Sequence, residues 1–134
     1  MQTLVRRSSV VLAGALLFVS GWLLGNESAV TQKTTIHAAA WTAADSMTQQ
    51  DFDNFKKLSA DLVGQVPGLR RIWVGKLAKP ITADGIQRTY GVVLEFDDAK
   101  SKEAYSSNRP PEWYATLNKL RNPQGSTSFD VIGE

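Results

Sequence analysis

The chain has 134 residues, enough for one domain of ordinary size, and its 43% hydrophobic and 21% charged content excludes disorder over most of its length. Fifteen lysines and arginines stand against 13 acidic residues, with no run of like charge longer than two, so the electrostatic footprint of a nucleic-acid-binding protein is missing. The absence of cysteine excludes disulfides and thiolate metal sites.

Residues 1–29 have the layout of an export signal: Arg6 and Arg7, an uncharged run from Ser8 to Gly25, then polar Asn26, Glu27 and Ser28. The apolar centre, Val10 to Leu24, is long for a cleaved signal peptide and short for a membrane span of about 20 residues. Two fates therefore stand: cleavage after Ala29, which Glu27 marks poorly, or retention as a single N-terminal anchor. Either way the arginines stay on the cytoplasmic side and the domain is delivered outside, periplasmic, secreted or tethered. Membrane contact is expected only through residues 1–29, if they are uncleaved. The Arg-Arg pair fits twin-arginine export weakly, since Ser9 occupies a position where that signal carries a large apolar residue.

Val30 to Lys33 reads as a short linker, and the domain is expected over residues 34–134. From Thr34 to Ala43, Thr35, His37, Ala39 and Trp41 alternate with Ile36, Ala38 and Ala40, and the Thr-Thr-Ile start favours a strand over the helical preference of alanine. Thr48, followed three residues later by Asp51, has the form of a capping box. Phe52, Phe55, Leu58, Leu62 and Val66 then recur at helical spacing, while Gly64 and Pro67-Gly68 are stop signals. Leu69 to Ala78 predicts a strand with Ile72 and Val74 on one face and Arg71, Trp73 and Gly75 on the other.

Pro80, Asp84 and Gly85 predict a loop over Lys79 to Gln87. Arg88 to Asp97 is the clearest strand, with Tyr90, Val92, Leu94 and Phe96 on one face and Thr89, Gly91, Val93 and Glu95 on the other, and is expected to lie centrally. Asp97 or Asp98 caps a short helix reaching about Tyr105, and Ser106 to Pro110 turns the chain. Pro111 then opens a further helix with the stripe Trp113, Leu117 and Leu120. Asn122 to Gly125 is expected to end that helix, and Ser126 to Ile132 to form a last strand with Phe129 and Val131 on one face.

The core order of strand, helix, strand, strand, helix, strand predicts an α+β, ferredoxin-like, four-stranded antiparallel sheet with helices on one face. The other face, expected to carry His37, Trp41 and Trp73 or their neighbours, is too apolar to be left in water. Pairing two such faces across a twofold axis buries both, so the expected partner is a second copy, giving a dimeric α/β barrel.

The residues resemble the stress-responsive dimeric α/β-barrel domain proteins, often called Dabb proteins, over roughly Thr35 to Ile132. The resemblance rests on Ile36-His37 early in the first strand, on Val66-Pro67-Gly68-Leu69 leading into Trp73-Val74-Gly75, and on Val92-Val93-Leu94-Glu95-Phe96-Asp97 running into Ala104-Tyr105. It includes a last strand of the type Phe129-Asp130-Val131. It implies two ferredoxin-like subunits around an interior pocket, and no single activity: some relatives are stress-linked without an assigned reaction, and one resembling enzyme is a cofactor-independent polyketide cyclase using a tyrosine and a histidine. The matching stretch here, Tyr105-Ser106-Ser107-Asn108-Arg109-Pro110-Pro111, keeps the tyrosine but has Pro111 where that histidine would stand. Proline transfers no proton, so that mechanism does not carry over intact.

The candidate site residues each have a structural reading beside the chemical one. His37 is a general base or ligand-orienting group in the pocket, or a histidine hydrogen-bonded inside the dimer. Tyr105 is a donor to a substrate carbonyl, or a core ring with its hydroxyl at the edge. Trp41 and Trp73 are pocket or interface residues, Trp113 a helix anchor, and Asp97 and Asp98 capping groups. No cofactor and no metal is expected, since one histidine and no cysteine leave only carboxylates as further ligands. The leading expectation is an exported, non-catalytic homodimer that binds a small apolar or aromatic ligand or has a stress-related role. The alternative is a cofactor-independent cyclase, isomerase or monooxygenase acting on a phenolic or polyketide-like substrate.

Overall fold

A computed structural model describes residues 33–133. The segment read as an export signal, residues 1–29, lies outside the described residues. Among those that are described, no helix is long and apolar enough to cross a membrane. The elements are β1 (Thr35–Ala43), α1 (Gln49–Leu62), β2 (Leu69–Ala83), β3 (Ile86–Phe96), α2 (Ala99–Ser107), α3 (Pro111–Leu120) and β4 (Arg121–Ile132). The strands form one antiparallel sheet in the order β2-β3-β1-β4, the ferredoxin-like α+β arrangement, with β1 and β3 at its centre.

The capping box at α1 forms as the spacing predicts. Thr48 Oγ1 accepts from Asp51 N at 3.1 Å, and Asp51 Oδ2 accepts from Thr48 N at 3.0 Å. The buried stripe of α1 is Phe52, Phe55, Ser59 and Leu62, so Ser59 takes the fully buried place and Leu58 is only partly covered. Ser59 is tolerated there because its hydroxyl accepts from Trp113 Nε1 on α3 at 2.8 Å, satisfying two buried polar groups at once. At the end of the following loop, Gly68 has φ +79°, and a Cβ there would collide with Ser101 on α2.

Two expected breaks are strand instead. The loop read over Lys79 to Gln87 reduces to the pair Asp84-Gly85, whose φ values of 53° and 73° are those of a type I′ hairpin turn. Pro80 is accommodated because β2 is an edge strand and its pairing with β3 jumps from Lys76↔Tyr90 to Ile81↔Arg88, so the proline falls in a bulge that needs no N–H. Likewise β4 starts at Arg121, directly after α3, and Pro123 lies in the irregularity between Ala43↔Arg121 and Trp41↔Ser126. Proline predicts a break in the ladder, and on an edge strand a bulge supplies that break without ending the strand.

The core lies between the sheet and the helices. Trp41 stacks on Tyr90 at 6.2 Å and meets Phe55 edge-on at 6.2 Å, Phe55 packs on Trp113 at 5.5 Å, and Phe96 on Tyr105 at 5.3 Å. Each large side chain buried this way contributes on the order of 1.5–3 kcal/mol. Ser59→Ala leaves Trp113 Nε1 buried without an acceptor and is expected to destabilise the protein by about 1–3 kcal/mol in urea unfolding. Adding Trp113→Phe to Ser59→Ala is expected to cost less than the two single changes summed, because both members of the hydrogen bond are then gone. Strict additivity would show that the bond contributes nothing.

Candidate functional site

Strand registers decide which side chains share a face. Trp73, Val93, Ala38 and Phe129 form one continuous row across β2, β3, β1 and β4, and Arg71, Glu95, Ile36 and Val131 form the next. Phe129 and Trp73 are 58% and 47% exposed and Val131 is 51% exposed, because this is the face that no helix covers. Its floor is small: Ala40, Gly91 and Gly75 pair across the sheet, and the Leu77 side chain lies where a Cβ on Gly91 would go, 2.9 Å from that position. Aromatic groups at both edges and small residues between them make a contiguous apolar surface of the kind that marks an interaction site. At one end Arg71 Nε lies 3.4 Å from Glu95 Oε2 and supplies a polar margin.

This placement corrects the sequence reading for two residues. Trp41 is 1% exposed and packs against Phe55, so it belongs to the helix-side core and not to a pocket or interface on the uncovered face. With the two-residue period of a strand, Thr35, His37 and Ala39 follow it to the helix side. Trp73 stands on the uncovered face, Trp113 is buried among the helices, Asp98 caps α2 by accepting from Ser101 N at 2.7 Å, and Asp97 is ion-paired with Arg70.

On the helix side, His37 sits between Leu94 of β3 and Asp130 of β4 in register. Its Nδ1 is 2.6 Å from Asp130 Oδ1, and Asp130 Oδ2 is 2.6 Å from Nζ of Lys102 on α2. Donation from Nδ1–H to the carboxylate leaves the lone pair of the neutral ring on Nε2, the arrangement that orients an imidazole as a base. Burial pushes the Asp130 carboxyl up, but the hydrogen bonds from Lys102 and His37 outweigh this and hold it below the usual carboxylate range.

Sequence reasoning missed Asp130 and Lys102 as partners of His37. The signal for Asp130 was present: it alternates with Phe129 and Val131, so once those point outward it must point inward beside β1. Nothing in the short, mostly polar stretch of α2 singles out Lys102.

Tyr105 is 5% exposed, between Phe96 and Trp113, and burial pushes its phenol up to about 12. It borders a cleft of about 390 Å³ at the α2–α3 junction, whose lining includes Val66, Pro67, Arg109 and Pro110 but not His37. The two candidate catalytic residues thus belong to different surroundings. Among the described residues, no cluster of three or more His, Asp or Glu side chains could hold a metal ion.

No family model and no curated protein matches the sequence. Solved structures match the fold. A dabb family protein with a ferredoxin-like fold from Mesorhizobium loti has a TM-score of 0.53 and 14% identity, covering 77% of this chain and 99% of its own. A dimeric ferredoxin-like protein of unknown function from Thermobifida fusca has a TM-score of 0.56 and 18% identity over 80% of this chain and 98% of its own. A hydroxynitrile lyase from Passiflora edulis has a TM-score of 0.61 and 15% identity over 77% of this chain and 95% of its own. The fold is that of these ferredoxin-like proteins, a dabb family protein among them, as the resemblance read from the sequence implies.

The His37–Asp130–Lys102 chain has a consequence for stability. Because the Asp130 carboxyl titrates below its unfolded value of about 3.9, its stabilising share is present above that pH and is lost as pH falls through the folded value. Between about pH 5 and pH 2, urea unfolding at fixed protein concentration is expected to show a steeper loss of stability for the wild type than for Asp130→Asn. Equal slopes would show that the carboxylate gains nothing from its two partners.

Proposed function

We propose that the chain is an exported homodimer of the dabb type that holds a small apolar or aromatic molecule and does not transform it. The observation that carries the dimer is the row Trp73, Val93, Ala38 and Phe129 with Val131 beside it, an apolar sheet face without a helix over it. A second copy related by a twofold axis covers it with an identical surface, closing two sheets into a barrel, and the Arg71–Glu95 pair falls at the polar rim such interfaces have. Dimeric neighbours of the same fold support this reading. Export rests on the basic, apolar and polar succession of residues 1–29, which delivers the domain outside the cytoplasm, free after cleavage or tethered. The apolar-ligand and stress-related parts follow the family resemblance.

In light scattering at micromolar concentration, the full-length chain is expected to show twice its monomer mass. Trp73→Glu buries a charge at the twofold contact and is expected to yield monomers. Val63→Glu, at an exposed apolar residue just past the end of α1, is expected to leave the dimer intact. A wild-type monomer under these conditions would overturn the proposal.

A second reading, a cofactor-independent enzyme, is favoured by one observation, the 2.6 Å contact of His37 Nδ1 with Asp130. In that reading His37 Nε2 takes a proton from a phenolic or polyketide-like substrate, as in cyclase, isomerase or monooxygenase chemistry, and Asp130 orients the ring. Tyr105 acts with it only if the substrate reaches both. With a substrate that turns over, His37→Gln is expected to lower kcat by roughly 10²–10⁴-fold while the protein stays folded. Unchanged turnover in that variant would remove His37 from the chemistry.

A further inference from the structure

The segment from Tyr105 to Pro111 joins α2 to α3 and is shared between the cleft and an unusual group of charges. The guanidinium carbon of Arg109 lies 4.8 Å from the centroid of the Tyr114 ring, and that of Arg121 lies 5.6 Å from the same centroid. Arg121 is held by Asn118 Oδ1 at 2.6 Å, Ser126 Oγ at 3.3 Å and the Tyr114 hydroxyl at 3.4 Å. All of these partners are neutral. Among the described residues the carboxylates in ion pairs are Asp53, Glu95, Asp97 and Asp130, and none of them is paired with Arg109 or Arg121. Two cations thus share one ring, and among the described residues neither is in an ion pair.

Arg109 also lines the cleft of about 390 Å³, which is within the size range of small-molecule sites. The remaining walls are largely apolar, from Val66, Pro67, Ala104 and Pro110, with the amides of Gln65 and Asn108 and the Tyr105 phenol as polar groups. No hydrogen bond among the described residues engages the Tyr105 hydroxyl, and that oxygen is not sealed off among the buried unpaired atoms, so it keeps access to the cleft its ring borders. Its burial keeps it protonated, hence a donor, throughout the neutral range. At the same junction α3 begins at Pro111 with no side-chain cap, so the positive end of its dipole adds to the field of Arg109.

We infer that this cleft binds a small apolar carboxylic acid, with the carboxylate on the Arg109 guanidinium and the Tyr105 hydroxyl, and the apolar body against Val66, Pro67 and Pro110. The inference names the class of ligand and its place within the proposal that the protein holds a small apolar molecule, and it rests on that proposal. A carboxylate fits better than a phosphate for two reasons. Its planar fork matches one guanidinium, and its single charge is offset by Arg109 without the larger donor set that a strongly hydrated dianion needs.

The test is an NMR titration of the full-length, isotope-labelled chain with benzoate and, separately, with benzamide, which has nearly the same shape and no charge. Benzoate is expected to shift the amides of Val66, Ala104, Tyr105 and Arg109 and to bind at least tenfold more tightly than benzamide. Added salt is expected to weaken benzoate alone. Arg109→Gln, at an exposed side chain, is expected to bring benzoate down to the level of benzamide and leave benzamide unchanged, and Arg109→Lys to restore part of the preference. Equal binding of the two compounds by the wild type, or an Arg109→Gln variant that keeps the preference for benzoate, would overturn the carboxylate inference and leave the apolar-ligand proposal standing. Binding of neither compound would overturn both.

Discussion

The packing of Trp41 against the helices sets the facing of every strand paired with β1, directly or through a neighbour. Trp41 fills the space between sheet and helices, stacked on Tyr90 and edge-on to Phe55, and no other residue of β1 is large enough to do so. Because a strand alternates with a period of two, one tryptophan commits the whole strand. Thr35, His37 and Ala39 go inward with it, and Ile36, Ala38 and Ala40 go outward. Antiparallel pairing then transmits the choice to β3 and β4, which is why Asp130 faces the helices while Phe129 and Val131 face away.

The alternation itself was legible in the sequence, and with it the pairing of outward and inward sets in β3 and β4. The sign of the alternation in β1 was not. A histidine beside a tryptophan suggested the lining of a pocket, whereas close packing asks a simpler question, which of the two sets can fill a layer about 10 Å thick. Alanine at positions 38 and 40 cannot, and Trp41 can. The element boundaries show a similar pattern. Helix starts were legible because Thr48-Asp51, Asp98 and Pro111 are local signals whose chemistry is complete within one turn. The lengths of β2 and β4 were not, because Pro80 and Pro123 break strands everywhere except at edge bulges, and whether a strand is an edge depends on the order of the sheet. The Asp84-Gly85 pair was the stronger local signal for a tight hairpin, and Pro80 masked it.

The same inversion changes what His37 is. On the uncovered face it would have been a lone imidazole without an evident partner. On the helix side it ends a chain of polar contacts that runs through Asp130 to Lys102 of α2, tying the last strand, the first strand and a helix together. Such a chain is satisfied internally, each charged or polar group at this margin of the core having a partner. A structural role and a poised base therefore share one geometry. Only a molecule that reaches Nε2 separates them.

The uncovered sheet face proposed for assembly and the cleft proposed for ligand recognition lie on different layers of the fold. The face is apolar along its centre, with its one ion pair at an end, a character suited to a large, repetitive partner surface such as a second copy. The cleft is small, with one cation, one phenol and the amides of Gln65 and Asn108 in a lining otherwise apolar, and a few polar groups in apolar walls are the attributes that orient a small molecule. In the resemblance read from the sequence, Pro111 stands where a related enzyme has its proton-transfer group, and Arg109, two residues earlier, is a charge that carries no proton between partners at neutral pH. Along Tyr105 to Pro111 the chain thus offers a charge and a phenol and no imidazole, which favours the proposed reading of a site that holds its ligand.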